Sequence, residues 1–157
     1  MFNAKNLSIL AILLWVVTIA AIGTMMVKGN TVASDDQRVA IELSLADKKF
    51  VAKEMRSFLN TIMLVSQAAG ENRMEDISEL AYKNGMHEVE MVPPRILVQL
   101  PMEFKQIGME VHNRFDALSK KAKEGITQAE VNQALGDIIN GCMACHNSYQ
   151  IVLKDIK

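Results

Sequence analysis

Cysteine is nearly absent from this chain of 157 residues. Only Cys142 and Cys145 occur, too few for a scaffold of several disulfides, so their placement has to be read individually. Aromatic residues make up 5% of the chain and no run of Lys or Arg is present. Phosphate binding needs clustered cations and single-strand binding needs stacking platforms, so nucleic acid is excluded as the main partner. Three prolines punctuate the sequence, and no segment shows sustained two-residue alternation, so no strand is expected. Charge is missing from the first 27 residues except at Lys5, and the remainder is a mildly acidic domain.

The uncharged stretch runs from Leu7 to Val27, 21 residues. As a helix rising 1.5 Å per residue it spans roughly 30 Å, the thickness of a bilayer's hydrocarbon core. A cleaved signal peptide, with a site near Thr31-Val32-Ala33, is the alternative, but its apolar region usually has only ~7 to 15 residues. The chain therefore divides into a transmembrane anchor (or signal peptide) at 1–30 and a domain at 31–157. The amino terminus and Lys5 hold the head in the cytoplasm, which sends the domain across the membrane.

Within the domain, apolar residues recur at three- and four-residue steps in four stretches, the mark of amphipathic helices. The first is expected to start after Ser34-Asp35-Asp36 and run through Val51, Met55, Leu59 and Ile62 to Gly70. The second begins near Asn72, with Glu75 as a capping-box partner, and ends at Asn84-Gly85. Pro93-Pro94 imposes an extended connection, and Pro101 opens a third helix that Gly125 closes. Thr127 and Glu130 form a capping box for the last, which is expected to continue close to Lys157 with Val131, Leu135, Ile138, Cys142, Cys145, Tyr149, Val152 and Ile156 on one seam. The expected fold is all-α, an antiparallel four-helix bundle preceded by a single transmembrane helix.

Cys142-Met143-Ala144-Cys145-His146 is CxxCH, the attachment signature of c-type haem. On a helix, Cys142 and His146 lie one turn apart with Cys145 between them, so two thiols can bond the porphyrin vinyl groups while the imidazole reaches iron. A thioredoxin-like redox pair normally stands near a βαβ pattern, and a structural zinc needs two further ligands. Neither condition is met. Two inert core cysteines are the plainest alternative, but they leave the adjacent His146 and the export segment unexplained.

The run Gly141-Cys142-Met143-Ala144-Cys145-His146-Asn147-Ser148-Tyr149, ending a helical domain, resembles the cytochrome c′ superfamily, including its low-spin, methionine-ligated members. The stretch Leu100-Pro101-Met102-Glu103-Phe104 with His112 and Phe115-Asp116 is similar to the third helix of small bacterial relatives, and the resemblance covers roughly 35–157. Relatives commonly carry Arg or Lys directly after the tyrosine, where this chain has Gln150. The resemblance implies one covalently bound haem c, with Cys142 and Cys145 bonding it and His146 as the proximal iron ligand.

What faces the other side of the haem separates an electron carrier from a gas binder. In an up-down-up-down bundle the early part of the first helix lies beside the late part of the last. Met55 occupies that depth, and the methionine-ligated relatives also carry their ligand in the first helix. Met63, or no residue at all, remains open as the alternative, and a gap-filling core role is the commonest fate of a methionine. Leu59, Ile138 and Tyr149 are expected to pack on the haem. His112 and Arg56 are weaker candidates for a propionate contact, and His87 is assigned no role.

The expectation is a membrane-anchored periplasmic monohaem cytochrome of the bacterial inner membrane. It acts in electron transfer, without enzymatic chemistry of its own. Its partners are redox proteins of the periplasm or membrane, a larger membrane complex, or further copies of the chain. The competing expectation is a cytochrome c′-like protein that binds or senses NO or CO at an open distal site.

Overall fold

The computed structural model describes residues 4–154, and the order of elements is that of a mostly helical chain with one small sheet. Helix α1 (Ala4–Lys28) has 25 residues. Its apolar side chains from Leu7 to Val27 are exposed, and it is long and apolar enough to cross a membrane. Its two threonine hydroxyls, on Thr18 and Thr24, donate to carbonyls one turn back, so neither is left unsatisfied in an apolar setting.

The first departure from the sequence expectation follows α1. Strands β1 (Thr31–Val32) and β2 (Val39–Leu43) pair antiparallel where the helix was expected to have begun. The cause is local. Ser34, Asp36 and Arg38 bond one another in a turn, and Gln37 sits at φ 69°, a left-handed conformation that a helix start does not contain. Helix α2 (Leu45–Gly70) instead takes Ser44 as its N-cap, whose hydroxyl accepts the Asp47 amide.

The second departure is at the other end. Helix α3 (Met74–Tyr82) is followed by a 3-10 turn (Met86–Met91) and the short α4 (Pro94–Leu97), where a plain extended link was expected. Asn72 closes α2 at φ 58° and does not cap α3, which begins without a side-chain cap. Helix α5 (Met102–Glu124) follows Pro101 and ends at Gly125, with φ 96°, as expected. Helix α6 (Gln128–Ser148) opens with both halves of the Thr127–Glu130 capping box in place. It stops at Ser148, and Tyr149–Leu153 forms β3, parallel to β2 in the register Val39↔Tyr149 to Leu43↔Leu153. The expectation that helix runs on toward Lys157 is thereby corrected; residues 155–157 lie outside the described part.

Two apolar clusters hold these elements together. One fills the space among α2, α3, α5 and α6, with Phe58, Val65, Ile77, Phe115, Leu118, Val131 and Ile138 buried in it. The other lies under the sheet, where Ile41, Leu43, Val51, Ile96, Leu100 and Tyr149 meet and Cys145 packs against them. The inward face of α2 is Val51, Phe58, Thr61, Val65 and Ala68. The stripe through Met55, Leu59 and Ile62 is therefore not the buried seam: Leu59 is 68% exposed and Met63 46%.

Candidate functional site

The CxxCH run occupies the last two turns of α6, immediately before β3. Both cysteines are free and partly buried. Burial, followed by the neighbouring Cys142, pushes the Cys145 thiol up to about 11, and burial raises Cys142 as well. Both are therefore protonated at neutral pH. A thiol-redox centre requires the opposite, a lowered thiolate pKa. Among the described residues no group of three or more His, Cys, Asp and Glu is placed to hold a metal ion, so a structural zinc gains no support.

A cavity of about 320 Å³ lies between α2, α5 and the end of α6. Cys145, His146 and Tyr149 line one side and Met55 with Val51 line another. Three residues that the sequence singled out, Met55, Cys145 and His146, thus share one space. Tyr149 joins them: its hydroxyl donates to Glu103 Oε2 at 3.0 Å and its ring meets the Phe104 edge with centroids 5.4 Å apart. Burial, followed by that carboxylate, lifts the Tyr149 phenol to about 12, so it stays neutral.

Other expected residues fall elsewhere. Cys142 is outside this lining, on the flank of α6. Ile138 is fully buried in the interhelical cluster. Leu59 and Arg56 are exposed on α2 away from the cavity. His112 is buried, its Nδ1 2.8 Å from the Asn84 carbonyl oxygen and its ring edge-on to Phe58, so it is a core histidine. His87 stacks on Tyr82. Gly141 faces α5, where an added Cβ would stand 2.8 Å from Val111 Cγ2, so its small size serves helix packing.

Sequence reasoning missed the cationic rim. Arg38 and Lys48 line the cavity beside His146. Arg38 is oriented by Asp36 and reaches the His146 carbonyl at 3.4 Å and Gln150 Oε1 at 3.5 Å. Nothing in a turn 108 residues upstream of the histidine marks it as a neighbour. One thiol, an imidazole and a thioether, apolar and aromatic walls, and two cations at the rim, with the Cys142 thiol one turn away on the flank of α6, form a donor set that fits a flat apolar macrocycle carrying acidic side groups. No family model, curated protein or solved structure matches the chain.

Proposed function

We propose that the chain is a membrane-anchored monohaem c-type cytochrome that carries electrons, a four-helix haem domain of the cytochrome c′ kind held by α1 at the periplasmic face of a bacterial inner membrane. One observation carries the reading: the CxxCH motif of α6 places Cys145 and His146 in the same cavity as Met55 of α2. A haem bonded there supplies a one-electron couple between ferric and ferrous iron.

The chain's own residues would divide the work. Cys142 and Cys145 would hold the haem covalently, and His146 and Met55 would supply the ligands to its iron. Arg38 and Lys48 offset the acidic side groups, and Tyr149, fixed by Glu103, covers an edge and keeps water out. Burial and ligation of this kind set the potential, and no substrate chemistry is needed. Partner proteins of the periplasm or membrane give and take the electron.

Mass spectrometry of the purified full-length chain tests the reading. The expected result is the mass of the uncleaved chain plus one haem, lost when Cys142 and Cys145 are both replaced by Ser. A chain expressed with a haem-attachment system and carrying no added mass would refute it.

A further inference from the structure

A second cavity, about 360 Å³, lies on the opposite side of Met55, between α2, α5 and the segment 89–98. Its lining is almost wholly apolar, and no residue of α6 contributes to it. It is thus separate from the space next to Cys145 and His146, although Val51, Met55 and Phe104 wall both. Its buried lining includes Phe58, Ile96, Leu100 and His112, and exposed Met26 and Val98 mark its open end.

Met26 belongs to the last turns of α1, and the rim is fastened to that helix. Lys105 Nζ donates to the Met26 carbonyl at 3.0 Å and to the Leu97 carbonyl at 3.3 Å. The Asn30 amide donates to the Gln99 carbonyl at 2.7 Å. Gly29, at φ 62°, lies so close to Gln99 that a Cβ would meet its carbonyl oxygen at 2.5 Å. With α1 in a bilayer, the open end sits where the chain leaves the membrane.

The lining offers hydrogen-bond acceptors. The Asn84 carbonyl can only accept, so Nδ1 of a neutral His112 carries the proton and Nε2 keeps its lone pair. Glu54 lines the same cavity as His112. A carboxylate or phosphate head would meet Glu54 unfavourably, whereas a hydroxyl head donates to both groups. Aromatic and methionine side chains suit an apolar ring.

We propose that this cleft binds a membrane-soluble hydroquinone, its ring hydroxyls at His112 and Glu54 and its apolar tail leaving past Met26 toward the bilayer. The proposal rests on the reading of α1 as a membrane anchor and not on the haem.

The test is calorimetric titration of a short-tailed benzohydroquinone into the full-length protein in phosphatidylcholine nanodiscs. Dithionite keeps any haem ferrous, so that no electron leaves the ligand. Saturable one-to-one binding is expected, weakened at least tenfold in Glu54→Leu and for the dimethyl ether of the same hydroquinone. A Cβ at Gly108, on the cleft wall, meets nothing within 4 Å. The first atom of a side chain there finds open space, and Gly108→Leu, which adds bulk at the cleft wall, is expected to abolish binding with the helical circular dichroism unchanged. Equal binding of the ether, full binding to Gly108→Leu, or no binding to wild type overturns the proposal. A haem-loaded chain that ignores the hydroquinone refutes the cleft alone; a chain expressed with a haem-attachment system that carries no haem yet binds the hydroquinone refutes the cytochrome reading alone.

Discussion

On the proposed reading, replacing Met55 by Ala separates loss of an iron ligand from loss of structure, because the side chain is 36% exposed. Truncating a fully buried methionine costs about 2 to 5 kcal/mol. With a third of its surface already in water and a cavity beside it, Met55→Ala should cost about 1 to 2 kcal/mol on the same scale. A domain with about 5 to 15 kcal/mol of stability stays folded after such a loss. The ferric absorption spectrum is then a clean assay. Wild type is expected to show the sulfur-to-iron charge-transfer band, Met55→Ala to lose it and become high-spin, and Met63→Ala, whose side chain is 46% exposed and lies outside the cavity, to keep it. A band that survives Met55→Ala, or disappears in Met63→Ala, refutes the assignment. A wild-type ferric protein that is already high-spin favours the open-site, gas-binding alternative.

Asp47 is buried and accepts from Ser44 Oγ at 2.9 Å, Gln99 Nε2 at 3.3 Å and Arg95 Nε at 3.0 Å. Burial is the largest single influence and raises its pKa, but those three donors together outweigh it and hold the carboxyl below its ordinary value. A pKa lowered by folding gives stability that is present above the unfolded value of about 3.9 and is lost as pH falls through the folded one. Thermal melts should therefore place Asp47→Asn below wild type at about pH 7, with the gap closing toward about pH 3; a constant gap would contradict the argument. In α6, Gly141→Ala gains about 1 kcal/mol of helix propensity but overpacks stiff Val111, a cost of about 1 to 3 kcal/mol. Gly136→Ala meets nothing within 4 Å and should only gain. Denaturant titrations that rank Gly141→Ala above Gly136→Ala in stability would refute this account.

The helices with strong local signals were legible in the sequence. Pro101 and Gly125 bounded α5, and the Thr127–Glu130 box opened α6, because caps and turn residues act on their own neighbours. Met55 and His146, paired by the depth argument, line one cavity, although Met55 stands on the exposed stripe of α2 and not on the buried seam expected for it. The sheet was not legible. Tyr149 and Val152 continue a three-and-four spacing that suits a helix, and five residues are too few to tell the periods apart. Partners more than a hundred residues away decide the matter. The inward face of α2 was hidden for another reason. Asn84 donates to Thr61 Oγ1 at 2.6 Å and accepts from Ser57 at 2.9 Å, which lets polar residues sit inward while Leu59 stays outside. Arg38 and Lys48 carried no sequence signal because the fold alone brings the turn to the end of α6.

The parallel ladder between β2 and β3 acts as a gauge for the cavity. β2 leads directly into the helix that carries Met55, and β3 begins three residues after His146, so their register fixes how far apart those side chains stand. Slipping by one residue would displace one strand against the other by about 3.3 Å and turn buried Ile41 and Leu43 to the opposite face. An iron–ligand bond tolerates no such displacement. In the proposed cytochrome, insertions or deletions anywhere in 149–153 should therefore disturb the spectrum of the iron before they disturb the helices, which makes β3 part of the calibration of the proposed centre.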